Sequence, residues 1–109
     1  GKSGDTFGPI GPYLVTKDEI PEVNNLKLNL EVNGTNMQSG NTKNMIFSTN
    51  FILAYLSRFM SLQPGDLVTT GTPAGVGMGM NPQVFLKDGD KIKLSIDNLG
   101  QQNSKIVLG

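Results

Sequence analysis

The chain has 109 residues, with nine basic and nine acidic side chains and a formal net charge of zero. That balance excludes charge-driven recruitment to nucleic acid or to a membrane surface. The lack of cysteine and histidine removes disulfides, thiolate metal sites, a cysteine nucleophile and the commonest general base, so acid–base chemistry must use Asp, Glu, Lys or Tyr, or borrow a group from elsewhere.

A chain of this length makes one domain, residues 1–109, with a modest core that buries roughly 60–70% of the unfolded surface. Absence of cysteine fits a cytoplasmic enzyme. No apolar stretch is long enough to span a bilayer, and no signal segment opens the sequence.

In chain order, residues 1–12 (GKSGDTFGPIGP) read as an irregular loop. Residues 13–15 are a short strand candidate, and residues 18–25 a connector. Leu26, Leu28, Leu30 and Val32 alternate with Lys27, Asn29 and Glu31, the two-residue period of a half-buried strand. Asn33-Gly34 follows, the pair preferred in a two-residue hairpin turn because both positions take positive φ. Residues 35–38 form the return strand. Residues 48–60 are the one clear helix, about 49–60 after its cap, with an apolar stripe of Phe51, Ile52, Tyr55, Leu56, Phe59 and Met60 that reads as core packing. Ser48, Thr49 or Asn50 can cap it. Residues 66–70 are a strand candidate, 71–80 a glycine-rich loop and 88–90 a tight turn. Ile92, Leu94 and Ile96 mark another one-sided strand, and residues 104–108 a last strand after a turn at 98–100. One helix among several short strands predicts a mainly β (α+β) fold with the helix covering a sheet face.

Three segments could do chemistry. Lys2 sits between glycine and serine, but no helix pattern follows, so the phosphate-loop motif is rejected. The alternative for Lys2 is a solvated residue near a frayed terminus. In residues 69–79, TTGTPAGVGMG, a strand runs into a glycine-rich turn that presents backbone N–H groups and the Thr72 hydroxyl. Such a turn can form an anion-holding nest. It can equally be a surface loop needing glycine for positive φ. No helix follows it, so the dinucleotide fingerprint is excluded. The carboxylates are scattered; Asp88 and Asp90 read as a turn rather than a cation site.

The order of motifs is more telling than any one of them. GKSGDTFGPIGPYLVTKDEIP, LEVNG, QSGNTKNMIFS, YLSRFMSLQPGDLVTTGTPAGVG and FLKDGD, in that order, resemble the C-terminal part of the fumarylacetoacetate hydrolase family over essentially the whole chain. Within the family the sequence is most similar to bacterial enzymes acting on 2,4-diketo-3-deoxy sugar acids, including members labelled ureidoglycolate lyases.

The resemblance implies a mixed β-sandwich roll, a homodimer and a Mg²⁺ or Mn²⁺ ion that chelates the 2-oxo carboxylate end of a small keto acid. It implies hydrolysis of a C–C bond in an acylpyruvate-type acid, with a ureidoglycolate lyase, isomerase, hydratase or decarboxylase as alternatives on one fold. The family's principal metal ligands and its His-Glu pair lie upstream of GKSGDT. A fragment inactive by itself is therefore a further expectation. Lys2 matches the family lysine that stabilises developing enolate charge. Gly71 and Thr72 match the loop that holds the substrate carboxylate. Thr6 matches a residue near the metal, acting through water. Gly4 departs from the bulky aromatic found in many relatives, which bears on packing beside Lys2.

Overall fold

The computed structural model describes residues 4–108. Its centre is a four-stranded antiparallel sheet: β1 (Lys27–Val32), β2 (Thr35–Asn41), β3 (Lys91–Ile96) and β4 (Gln101–Lys105), in the order β2-β1-β3-β4. One helix, α1 (Thr49–Leu56), and short 3-10 turns join the rest. The mainly β expectation with a single helix holds.

The alternation in β1 and β3 sets the sheet's polarity. Leu28 pairs with Ile96, Leu30 with Leu94 and Val32 with Ile92. Directly opposed residues share a face, so these six make one apolar surface. The β1–β2 hairpin turns at Asn33 (φ 52°) and Gly34 (φ 81°), both left-handed as that turn requires. Its register shifts between Leu30 and Glu31, because Leu30 faces Gln38 while Glu31 faces Asn36. Met37 is the extra residue, a β-bulge that re-aims the rest of β2. A polar clasp ties the turn of this hairpin to the start of β3. The Asn33 side chain donates to Asp90 and accepts from the Lys91 N–H, both at 2.9 Å.

Helix α1 starts where expected, since Ser48 Oγ accepts the Phe51 N–H at 3.2 Å. It stops earlier than expected, at Leu56. There Ser57 Oγ donates to the Ala54 carbonyl, and tighter bonds such as Phe59 N–H to Leu56 O follow, the usual way a last turn satisfies its carbonyls. The aromatic side of its stripe is not core. Phe47, Phe51, Tyr55 and Phe59 form a ladder of rings 4.9, 6.2 and 5.1 Å apart, all of them exposed, with Phe59 67% accessible.

Three strand expectations are corrected. Residues 13–15 make no ladder; Tyr13 instead packs its ring edge against Gly100. Residues 66–70 are not a strand, and Leu67 is 67% exposed. β-branched residues favour pleated surface only where a neighbouring strand supplies it, and none of the described strands does. The last strand is Gln101–Lys105 rather than 104–108, because the turn at Asn98–Gly100 starts pairing at once, with Gln101 opposite Ser95. Val107 and Leu108 run past the ladder and are exposed.

The core is slight. Among the described residues, only Ile20 and Leu26 are buried apolar residues, and Gln38 is the buried polar one. The Cα radius of gyration is 15.4 Å, against roughly 13 Å for a compact domain of this length.

Candidate functional site

The loop that carries Thr72 lies on the apolar face of the sheet, over β2. Two contacts place it there. Gly40 pairs with Leu28 and so points to that face. A Cβ on Gly40 would stand 2.9 Å from the Pro73 ring, so the missing side chain is the seat for the proline. Further along, a Cβ on Gly75 would fall 1.9 Å from the Met37 carbonyl oxygen, at φ 106°. That carbonyl belongs to the bulge residue, so loop and bulge fit one another. Gly77 similarly lies against the Val84 carbonyl, where a Cβ would be 1.7 Å away.

The glycines of the loop therefore divide in two. Gly75 and Gly77 are required by close backbone approach. Gly71 takes φ 94° with open space beside it, so only conformation requires glycine there. Gly71 and Thr72 are on the exposed side of the loop, where a ligand can reach them.

Gln38 joins this loop to the sheet. It is 8% exposed and pairs with Leu30, so it stands among the leucines of the apolar face. Its Nε2 donates to Thr72 Oγ1 and to the Pro73 carbonyl, both at 2.9 Å. A carbonyl oxygen only accepts, so the amide nitrogen and not the amide oxygen must face it. Thr72 Oγ1 then accepts from the same nitrogen and keeps its own O–H to donate. Sequence reasoning passed over Gln38. The available signal was its place opposite an alternating leucine: a glutamine on the apolar side of a strand needs partners for its amide.

The other end of the same cross-strand row holds the opening segment. Leu30 pairs with Leu94, and Leu94 with Gln102. The Gln102 Nε2 donates to the Gly11 carbonyl. Pro12 and Tyr13 cover Gly100, where a Cβ would come within 2.9 Å of both. The opening segment and the Thr72 loop thus lie on one face, anchored at opposite edges, three strand spacings or roughly 14 Å apart. Lys2 stands nine residues before Gly11 and lies outside the described residues. Thr6 is exposed in a turn closed by the Phe7 N–H to the Gly4 carbonyl. The Phe7 ring occupies the space beside Gly4, 3.1 Å from where a Cβ would be. An aromatic ring within the segment thus fills room that a side chain at position 4 would need.

A cavity of about 520 Å³ opens between this face and the loops at 75–77 and 84–87, lined by Leu30, Met37, Val76, Phe85 and Ile92 with Gln38 at one wall. It is mostly apolar and does not include Thr72.

Among the described residues no group of three His, Cys, Asp or Glu side chains could hold a metal ion. Mg²⁺ or Mn²⁺ calls for several convergent oxygens, so these residues do not supply a donor set. Asp88 and Asp90 serve the turn, as expected. Asp88 accepts the Leu108 N–H at 3.1 Å, and Asp90 accepts from Asn33 Nδ2 and the Lys87 N–H. Those bonds, the Asn33 one foremost, hold the Asp90 carboxyl below its ordinary value.

Residues 1–107 match the family model for the fumarylacetoacetate (FAA) hydrolase C-terminal domain. The chain belongs to that family. A candidate hydrolase from Burkholderia cenocepacia is 57% identical over 103 residues, 94% of this chain and 36% of that protein. Among solved structures, a fumarylacetoacetate hydrolase from Exiguobacterium antarcticum superposes with a TM-score of 0.95 at 44% identity, covering 100% of this chain and 39% of that one. A maleylpyruvate hydrolase from Sphingobium sp. SYK-6, in complex with manganese(II) and pyruvate, gives 0.87 at 37% identity, covering 96% and 37%. A 2-hydroxyhepta-2,4-diene-1,7-dioate isomerase from Mycobacterium marinum gives 0.82 at 38%, covering 95% and 37%. The chain thus spans little more than a third of the length of each. These solved relatives are two hydrolases and an isomerase. No described helix is long and apolar enough to cross a membrane.

Proposed function

We propose that this chain contributes to an enzyme that hydrolyses a C–C bond in a small 2,4-diketo acid. The observation that supports it most directly is the exposed Thr72, whose hydroxyl accepts from Gln38 and so keeps its own hydrogen free to donate, on a glycine turn in a family that includes a maleylpyruvate hydrolase binding pyruvate. A hydroxyl held in this sense suits a carboxylate, and Gly71 leaves room for the anion to approach. Orientation of the acid end places the scissile bond in a repeatable position. In this reading the Lys2 ammonium offsets the negative charge that develops on the enolate leaving group, and Thr6 acts near the metal through water.

Dependence on Mg²⁺ or Mn²⁺ is part of the proposal, supported by the manganese in the maleylpyruvate hydrolase complex. The described residues lack the donor set, so no step is assigned to the ion here. A cytoplasmic homodimer is the assembly the reading takes.

A second reading keeps the site and changes the reaction to isomerisation, supported by the likeness to the dioate isomerase. Product analysis separates them. Incubating the protein at its full native length with a 2,4-diketo acid should release pyruvate and a second acid. Conversion to a single isomer with no loss of carbon would replace hydrolysis with the second reading. Release of urea and glyoxylate from ureidoglycolate would point to the lyase instead. For the site itself, Thr72→Val should raise KM for the acid roughly tenfold, the cost of one hydrogen bond to a charged group, with a smaller change in kcat. An unchanged KM would remove Thr72 from substrate binding.

A further inference from the structure

We propose that Gln38 is a positioning residue for the substrate carboxylate, acting through Thr72. The proposal rests on the reading of Thr72 as a carboxylate donor, and extends it to the group that sets the donor's direction.

A threonine hydroxyl can donate one hydrogen bond and accept two. Left alone on an exposed loop it turns freely, and it donates to whichever acceptor is near, including its own backbone. Here Oγ1 is met by an N–H from Gln38 at 2.9 Å. That contact fills one acceptor site and turns the hydroxyl hydrogen away from the sheet, toward the exposed side of the loop. The second Gln38 hydrogen goes to the Pro73 carbonyl of the same loop, also at 2.9 Å. Two donors from one nitrogen therefore lock side chain and backbone of the Thr72-Pro73 unit together.

The amide is itself well held. It is buried, it stands in the row next to Leu30, and it follows the bulge at Met37 directly, whose carbonyl lies against Gly75 of the loop. Pro73 seated on Gly40 limits sliding. The glutamine thus converts a generic hydroxyl into a one-way donor whose direction is fixed before any ligand arrives. Such preorganisation lowers the cost of binding an anion.

The test is binding of pyruvate and of its neutral amide, pyruvamide, to the full-length protein with Mn²⁺ present, by titration calorimetry. Gln38→Glu keeps the shape but sets an acceptor against both Thr72 and the Pro73 carbonyl. Gln38→Met keeps the length and removes both donors. Both should weaken pyruvate binding roughly 10-fold or more, while pyruvamide shifts less than about twofold. In a Thr72→Val background the same changes should add less than about twofold, since the group they act through is gone. Equal weakening of both ligands would make Gln38 a purely structural residue and overturn the proposal. So would a full additional effect in the Thr72→Val background, because Gln38 would then touch the ligand directly. If Thr72→Val alone leaves pyruvate binding intact, the carboxylate reading of Thr72 fails. If it weakens binding while neither Gln38 variant does, only the positioning role fails. Should one variant not fold, the other decides the question.

Discussion

Gln38 and Gln102 end the same cross-strand row, with Leu30 and Leu94 between them. Each uses its side-chain amide nitrogen to hold a loop on the apolar face of the sheet, yet they do different things. Gln38 is buried, spends two donors, and grips a hydroxyl as well as a carbonyl. Gln102 is half-buried and grips the backbone carbonyl of Gly11. A bond to a carbonyl fixes only the path of a chain. A bond to a hydroxyl also fixes which way that hydroxyl donates, and so reaches into chemistry. The backbone at the β2 edge fits more tightly too, because Gly75 meets the Met37 carbonyl there, whereas Gly100 at the β4 edge meets the ring of Pro12 and the side chain of Tyr13.

The largest test of that contrast is Gly75→Ala. The new Cβ would collide with backbone at a positive φ, and neither can yield cheaply. A loss of about 3 kcal/mol of stability is expected, read from denaturant midpoints. A loss below about 1 kcal/mol would mean the loop is not seated on the bulge. Next in size is Gln102→Met, which should cost about 1 kcal/mol for one lost hydrogen bond. It should leave the preference for pyruvate over pyruvamide unchanged. Loss of that preference would erase the distinction between the two edges.

The smallest effect concerns the middle strands, which serve as the reference for both edges. The Asp90 carboxyl is held below its ordinary value of 3.8 by Asn33 first and by the Lys87 N–H second. A depressed carboxylate contributes stability that is present above its unfolded value and is lost as pH falls through the folded one. Unfolding midpoints should therefore drop from about pH 4 downward in the natural protein. Asp90→Asn should flatten that fall. An equally steep fall in the variant would assign the acid sensitivity to other carboxylates, such as Asp18, whose bonds with Thr16 and its own backbone lower it in the same direction.

Much of the sheet was legible beforehand. The alternating leucines of β1, the Asn33-Gly34 turn and the Ile92-Leu94-Ile96 face each specify a period or a φ that a reader can recognise. Strand β4 was half missed because QQNSK has no apolar alternation, and ladder pairing inherited from the preceding turn overrides a weak local signal. Residues 66–70 show the reverse: strong β propensity with no described strand beside it. The helix stripe was legible as apolar, but not that its aromatic side would be left exposed, since burial depends on what lies opposite. Of the site, Gly71 and Thr72 stood out as a turn with a hydroxyl. Gln38 did not, because nothing local marks a glutamine as the partner of a loop 34 positions on.

The sequence by itself determined the periods, the left-handed turns, the helix cap and the family, because each depends on residues close together or on motifs in a fixed order. Only the tertiary structure decided that one row of the sheet ends in two glutamines, and that the first of them meets the threonine. Register adds up across strands far apart in the chain, and a single bulged residue decides which side chains finally face each other.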